Sequence, residues 1–158
     1  MPGTVEHDDR LTAALRERGL RVTSQRILIN RVLHELYEHV TAEEVLDAVA
    51  DRLPGVSLPT VYATLDLLEE LGEIRRVAIP GGPALFDRRT SPHHHMVCRA
   101  CGRAEDIDAE VDLGGALRSA RRRGFSSRDA QVLVTGMCEE CTAEAATEAP
   151  RAARRPRS

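Results

Sequence analysis

The segment SLPTVYATLDLLEELGEIRRVAIPGGPALFDR, residues 57–88, predicts the fold of the N-terminal half of the chain. Ser57 is suited to cap a helix, and Pro59 falls in the first turn, where its missing N–H costs little. The apolar residues of this helix recur on one stripe, at Val61, Leu65, Leu68 and Leu71. Gly72 ends the helix, and the runs IRRVAI and ALFDR on either side of PGGP predict a β-hairpin.

Further helices are predicted before this stretch. Residues 8–18 and 25–38 have helical periodicity, and Thr41 with Glu44 forms a capping-box pattern that starts another helix. Three or four short helices closed by a two-stranded hairpin are typical of the winged helix, the helix-turn-helix variant with a β wing. A plain helical bundle with a hairpin is the alternative, because a fold by itself does not establish DNA binding.

The sequence pattern changes after residue 90. HHHMVCRA, RAEDID and QVLVTGM predict strands, and residues 109–123 predict a helix. Together they make a second, small α/β unit of roughly 50 residues, near the size at which a bound metal is usually needed for stability. Residues 143–158 are rich in Ala, Arg and Pro and predict a disordered tail.

Charge and hydropathy limit the partners and the compartment. The formal net charge is -3 and all 22 basic residues are Arg, so positive charge for a nucleic-acid partner must be local. Residues 1–33 hold six Arg against four acids, whereas residues 34–85 hold three Arg against ten acids. Because we find neither a long apolar run nor a signal-peptide core, we expect a cytoplasmic protein without a membrane partner.

The four cysteines form two C-x-x-C pairs, at Cys98, Cys101, Cys138 and Cys141. In a reducing cytosol this arrangement is more often a zinc site than two disulfides. Four thiolates suit tetrahedral Zn²⁺ and leave no open position for a substrate, so the predicted role is structural. Disulfides or free thiols are the alternative.

Three consecutive histidines stand just before the first cysteine pair. In a strand, alternate residues share a face, so we expect His93 and His95 to point one way and His94 the other. Asp87 and Asp106 lie on the preceding and following strands, and nitrogen ligands with carboxylates suit Fe²⁺, Mn²⁺ or Zn²⁺. A solvated histidine loop is the alternative.

From about residue 10 to residue 141 the chain resembles the ferric uptake regulator (Fur) family. The motifs that carry the resemblance are GLRVTSQR (19–26), HVTAEE (39–44), TVYATL (60–65), the HHHxxCxxCG run and GMCEEC (136–141). The resemblance implies a homodimeric, metal-activated transcriptional repressor that binds double-stranded operator DNA. It implies an α/β (α+β) fold with a winged-helix DNA-binding domain at 1–85 and a dimerisation and metal-binding domain at 86–142, followed by the tail at 143–158.

Within this family the chain is similar to the peroxide-responsive (PerR-like) branch, whose regulatory ion is held by His and Asp residues. The matching residues are His39, Asp87, His93, His95 and Asp106. Asp87 favours this branch, because iron-uptake regulators usually have Glu there. The resemblance implies structural Zn²⁺ on the cysteines and regulatory Fe²⁺ or Mn²⁺ at this second site. It also implies that hydrogen peroxide reacts at the Fe²⁺ form, oxidises His39 or His93, and releases the repressor from DNA.

The resemblance further implies DNA contacts around the helix in residues 57–72. Arg21 is similar to the family's basic residue that enters an A·T-rich minor groove. Tyr62 is placed to meet a thymine methyl group, with packing at the helix edge as the alternative. Thr60 and Thr64 fall off the apolar stripe and are predicted phosphate or base contacts. Relatives often have Arg or Asn after this Tyr, whereas Ala63 here removes a polar DNA contact.

Three other functions compete with peroxide sensing. A nutritional metal sensor of the same fold would respond to iron, manganese or zinc without oxidation. A metalloenzyme would need a general base and a substrate pocket, and no signature such as HExxH is present, so we expect no enzyme activity. A zinc-stapled interaction module would have no affinity for DNA.

The segment FSSRDAQVLVTGM lacks the histidine that many relatives use for another metal site.

Overall fold

The computed structural model describes residues 2–36, 38–127 and 130–148. Its chain divides into two compact units, Met1–Ser91 and Pro92–Ser158, which we call the N-terminal unit and the C-terminal unit. Both units combine helices with a three-stranded sheet. Among the residues described, no helix has both the length and the apolar character needed to span a membrane.

The N-terminal unit is mainly helical. Its helices are α1 (Pro2–Glu17), α2 (Ser24–Glu35), α3 (Ala42–Val49) and α4 (Leu58–Leu71), and its strands are β1 (His39–Val40), β2 (Arg75–Val77) and β3 (Leu85–Asp87). The sheet order is β1-β3-β2 with antiparallel pairing, so β3 is the central strand. The predicted hairpin is confirmed as β2 and β3, and the short strand β1 is added to it.

Local chemistry sets the ends of α3 and α4. The Thr41 hydroxyl accepts the Glu44 N–H at 3.2 Å and the Glu44 carboxylate accepts the Thr41 N–H at 2.7 Å, which confirms the predicted capping box. Ser57 precedes α4, but its hydroxyl pairs with that of Thr60 at 2.9 Å and caps no backbone N–H. Gly72 ends α4 with φ at 76°, a left-handed conformation that only glycine adopts without a Cβ penalty.

The apolar core belongs to the N-terminal unit. It is built from α1 to α4 and the sheet, and its fully buried members include Leu11, Leu15, Ile29, Leu33, Val61, Leu65, Leu68 and Phe86. The predicted apolar stripe of α4 is therefore confirmed at its first three positions. The sequence pattern places Thr64 off the stripe, yet its side chain is buried, with 5% exposed. Its hydroxyl donates to the Thr60 carbonyl at 3.0 Å, which satisfies a buried threonine inside the helix.

The C-terminal unit combines a small sheet with two helices. Its strands are β4 (His94–Cys98), β5 (Ala104–Ile107) and β6 (Leu133–Gly136), and its helices are α5 (Gly114–Arg122) and α6 (Glu139–Glu148). The sheet order is β5-β4-β6, in which β4 pairs antiparallel with β5 and parallel with β6. The parallel pair requires a crossover connection, and α5 lies within it.

Helix α6 differs from the predicted disordered tail. Residues 143–148 belong to this helix, whereas residues 149–158 lie outside the part of the chain that the structure describes. The alanines of AEAATE have the highest helix propensity. Glu139 and Glu140 in the first turn add a favourable interaction with the helix dipole.

The C-terminal unit buries little apolar side chain. Among its described residues, Val97 and Cys98 are the buried apolar ones, and α5 buries none. Large apolar side chains are instead exposed, at Met96, Val111, Phe125, Val134 and Met137. An apolar core therefore does not account for the stability of this unit.

A polar cluster joins α1 to α2. The rings of His7 and His34 stack with centroids 3.7 Å apart, and Arg31 forms an ion pair with Asp8. Arg88 donates to the His34 carbonyl at 2.8 Å. Burial, followed by the charges of His7 and Arg88, lowers the pKa of His34 from 6.5 to about 4.

This pKa predicts acid sensitivity. Below pH 6.5 the unfolded chain takes up a proton on His34, whereas folded His34 accepts this proton only near pH 4. The free energy of unfolding therefore decreases as the pH falls from 6.5 to about 4. We expect His34→Gln to lessen the loss by about 1–2 kcal/mol, a figure reduced because the ring is partly exposed. Urea unfolding of both proteins across this window measures the difference, and equal losses would contradict the prediction.

Candidate metal centres

The four cysteines meet at one end of the C-terminal sheet. Cys98 ends β4, Cys101 lies in the turn before β5, Cys138 follows β6, and Cys141 stands in the first turn of α6. Their sulfur atoms all lie within 4.8 Å of one another, and none of the four forms a disulfide. The structure thus brings together the residues that the paired spacing predicts, as thiols.

The geometry of the cysteine cluster fits zinc. The sulfurs of Cys101 and Cys138 are 3.9 Å apart, and two sulfurs each about 2.3 Å from a tetrahedral Zn²⁺ lie about 3.8 Å apart. Backbone hydrogen bonds at Cys101 and Cys138 lower the pKa of Cys98 to about 6, which favours the thiolate that binds metal. Hydrogen bonding with the Cys138 and Cys101 sulfurs raises the pKa of Cys141. A divalent cation is what stabilises all four residues as thiolates.

Two further candidate ligands face each other in the N-terminal unit. Strand pairing places His39 on β1 opposite Asp87 on β3, and His39 Nε2 lies 3.9 Å from Asp87 Oδ2. The side chains are 7% and 0% exposed. Asp87 is also oriented by the Arg89 N–H, which donates to Oδ1 at 2.7 Å. We call His39 and Asp87 the β1–β3 half-site.

Three more candidate ligands converge in the C-terminal unit. Asp106 Oδ1 lies 3.1 Å from His93 Nε2 and 3.7 Å from His95 Nε2. Both histidines are buried, and strand register places His95 opposite Asp106. His94 is partly buried, and its Nδ1 accepts the Val132 N–H at 3.3 Å. The predicted alternation of the three histidines is therefore confirmed, and we call His93, His95 and Asp106 the β4–β5 half-site.

The donor chemistry of the two half-sites suits a divalent transition metal. Ligand atoms that are each about 2.1 Å from one ion lie about 3–4 Å apart, which is the range of the distances within each half-site. Imidazole nitrogens with carboxylate oxygens fit Fe²⁺, Mn²⁺ or Zn²⁺ and include no thiolate. Asp108, close by in sequence, is exposed.

The predicted DNA contacts have different environments. Arg21 is exposed just before α2, and Thr60 is partly exposed in the first turn of α4. Tyr62 is partly buried, and its hydroxyl donates to Glu43 at 3.4 Å. Thr64 is corrected, because its buried hydroxyl is used within α4 and is not available to DNA.

Two residues that contact α4 carry no motif that marks them in the sequence. The Phe86 ring lies 6.4 Å from that of Tyr62, and Arg76 forms ion pairs with Asp66 and Glu69. The pattern of ALFDR indicates a buried position for Phe86, but no spacing in the sequence shows which helix its ring meets.

Known proteins resemble this chain along most of its length. The Ferric uptake regulator family matches residues 17–135. Ferric uptake regulation protein 1 of Mycolicibacterium fortuitum is 37% identical over 123 residues, which cover 77% of this chain and 76% of that protein. Peroxide-responsive repressor PerR of Staphylococcus aureus is 29% identical over 140 residues, 87% of this chain and 94% of that protein. The ferric uptake regulator of Pseudomonas aeruginosa with manganese has a TM-score of 0.59 at 32% identity, covering 81% of this chain and 97% of that one. The chain belongs to the ferric uptake regulator family.

Proposed function

We propose that this metal-responsive transcriptional regulator is a repressor that senses hydrogen peroxide and binds double-stranded operator DNA as a homodimer in the cytoplasm. The observation that carries the proposal is the ligand set of the two half-sites, which consists of histidines and aspartates without Glu or Cys. The peroxide-responsive repressor of Staphylococcus aureus is among the relatives. In the proposed organisation, the winged-helix domain expected at residues 1–85 corresponds to the N-terminal unit, and the dimerisation and metal-binding domain expected at residues 86–142 corresponds to the C-terminal unit.

The N-terminal unit supports a DNA-binding role. Its helices precede a β-hairpin in the order that winged-helix proteins share. We propose Arg21, Thr60 and Tyr62 as DNA contacts. Arg21 brings the positive charge, and α4 presents Thr60 and part of Tyr62 to solvent.

The regulatory site would combine both half-sites. Each half-site alone offers only two or three ligands. The two together would hold Fe²⁺ or Mn²⁺ firmly with five ligands, His39, Asp87, His93, His95 and Asp106. The β1–β3 half-site belongs to the N-terminal unit and the β4–β5 half-site to the C-terminal unit. An ion bound by both would therefore favour one arrangement of the units, and DNA affinity would follow metal occupancy.

Two features of the C-terminal unit support the proposal of a structural zinc site and of a homodimer. Its cysteines would hold Zn²⁺ and tie β4, β6 and α6 together. Its exposed apolar side chains, among them Met96, Val134 and Met137, form the kind of surface that a partner covers in an oligomer. A homodimer through this unit would bury them.

Bound Fe²⁺ would supply the reactivity towards hydrogen peroxide. The target in the chain is the imidazole of His39 or His93. One oxygen atom of the peroxide would be inserted into a ring C–H bond as the O–O bond breaks, and the other would leave as water. The ring loses two electrons and the peroxide gains two. The oxidised ring is a weaker ligand, so the two units lose their common ion and DNA is released. Mn²⁺ would occupy the same site without this chemistry.

Peptide mass analysis tests the proposal. Fe²⁺-loaded protein treated with hydrogen peroxide should gain one oxygen atom on His39 or His93, and it should release a duplex selected from a random-sequence pool with the Mn²⁺-loaded protein. The Mn²⁺ form is the control and should stay unmodified and bound. His94 is an internal reference that should remain unoxidised. Release of DNA without histidine oxidation, or neither event, would rule out the proposed chemistry.

A nutritional metal sensor is the second candidate, because Ferric uptake regulation protein 1 is also among the relatives. Such a sensor would bind DNA in proportion to its metal and would ignore peroxide. The response of the parent protein to peroxide separates the two functions, and Asp87→Glu tests whether that response needs Asp87. It should preserve Mn²⁺-dependent DNA binding in either case, and a loss of the peroxide response in this variant would link that response to Asp87.

A further inference from the structure

Strand β3 carries two neighbouring residues with different partners. Asp87 belongs to the β1–β3 half-site, and Phe86 precedes it on the central strand. Register places Asp87 opposite His39 and Phe86 opposite Val40 on β1, while Arg76 on β2 also pairs with Phe86. Both Phe86 and Asp87 are 0% exposed. A displacement of the strand at Asp87 therefore moves the Phe86 ring.

The Phe86 ring is held between two partners. Its centroid lies 6.4 Å from that of Tyr62 on α4 in an edge arrangement, at an interplanar angle of 62°. The guanidinium carbon of Arg76 lies 5.0 Å from the Phe86 centroid. Edge-to-face and cation–π contacts favour specific geometries, so the placement of this ring and that of Tyr62 depend on each other.

Arg76 forms a second connection to α4. Its Nε donates to Glu69 at 2.9 Å, and it also pairs with Asp66. Tyr62, Asp66 and Glu69 are four and three residues apart, so they share one face of the helix. This face is held by the Phe86 ring and the Arg76 guanidinium together. Because the core around the buried Phe86 ring does not deform smoothly, its packing against this face favours discrete placements of the helix.

We propose that Phe86 is a positioning residue that transmits the effect of an ion held by His39 and Asp87 to Tyr62 and α4. This inference rests on the proposed function and adds a route inside the N-terminal unit. An ion shared by His39 and Asp87 joins β1 to β3 and limits the positions of Phe86. The ring then favours one placement of Tyr62, whereas the metal-free protein samples several and binds DNA more weakly.

Tyrosine spectroscopy gives a readout separate from DNA binding. The chain has no Trp and two Tyr, Tyr37 and Tyr62. In a Tyr37→Phe background, the near-UV circular dichroism of tyrosine comes from Tyr62 alone. Phe86→Met keeps an apolar side chain of similar volume and removes the ring. Mn²⁺ should change the Tyr62 signal in the parent protein and leave it unchanged in the Phe86→Met variant.

DNA binding completes the test. We expect Phe86→Met to reduce the Mn²⁺-induced tightening on the selected duplex about tenfold, while Mn²⁺ affinity and metal-free DNA binding change less than about threefold. Arg76→Gln keeps the ring and should lose part of the tightening. Ile29→Val, a buried change on α2 in the same core, is the matched control and should keep all of it.

The outcomes separate this inference from the proposed function. If the parent shows no Mn²⁺-dependent tightening, the proposed function fails and the inference fails with it. If the parent tightens and Phe86→Met retains both the full tightening and the Tyr62 signal change, the inference alone is overturned. An equal loss in Ile29→Val would also overturn it, because the effect would then reflect general loss of packing.

Discussion

The Cys138→Ser variant should lose its zinc and most of the folded structure of the C-terminal unit. Cys138 follows β6, and its partners lie at the end of β4, in the next turn and on α6. Structural zinc in small zinc-binding peptides contributes about 10–16 kcal/mol of apparent binding free energy, and the net stability of a whole domain is about 5–15 kcal/mol. This unit buries very little apolar side chain. Losing even part of the zinc-binding free energy should therefore exceed the net stability of its folded state.

Zinc content and amide hydrogen exchange measure this outcome. Protection should disappear from β4, β5 and β6 and persist in α2, α3 and α4, whose core does not involve the cysteines. Met137→Leu is the matched control, because it changes the exposed neighbouring side chain and leaves every thiol in place. A Cys138→Ser protein that kept one zinc per chain and a protected C-terminal sheet would show that the cluster is not a structural zinc site.

The Asp106→Asn variant should lose metal-dependent DNA binding and keep its zinc. Asp106 Oδ1 is the atom on which His93 and His95 converge, so the change removes the negative charge at the centre of the β4–β5 half-site. Loss of residues that merely orient metal ligands costs about 10–100-fold in affinity, and a direct ligand should cost at least about a hundredfold. The Mn²⁺-induced tightening on the selected duplex should disappear with it.

Calorimetric titration with Mn²⁺ and duplex binding at fixed Mn²⁺ measure the two effects. Asp108→Asn is the matched control, since Asp108 carries the same charge two residues further on and is exposed. This control should bind Mn²⁺ and DNA as the parent does. If both variants weaken Mn²⁺ binding equally, the effect comes from the loss of one negative charge near the site, and Asp106 is not a ligand.

The sequence predicts well where one short-range rule decides the structure. The capping box of Thr41 and Glu44 needs residues three apart, and both of its hydrogen bonds are present. Two C-x-x-C pairs predict one cluster, because each pair holds its thiols close together and zinc needs four. The alternation of a strand predicts the grouping of His93 with His95.

The sequence predicts poorly where the outcome depends on distant partners. β1 has two residues, too few for a periodic pattern, and it exists because β3 pairs with it. Thr64 looks like a surface residue by type, yet the position of α4 in the core buries it and its hydroxyl finds a carbonyl one turn back. The contacts of Phe86 and Arg76 likewise follow from the fold of the whole unit.

Because the apolar core of the C-terminal unit is small, we expect its stability to depend on the concentrations of the ligands that bind its folded state. A unit with two buried apolar residues among those described would draw much of its folding free energy from the ligands that bind its folded state. Each ligand of the folded state adds RT ln(1 + [L]/Kd), where [L] is the free concentration of zinc or of a second chain. The folded fraction of this unit would then rise and fall with the zinc supply and with the abundance of the protein itself.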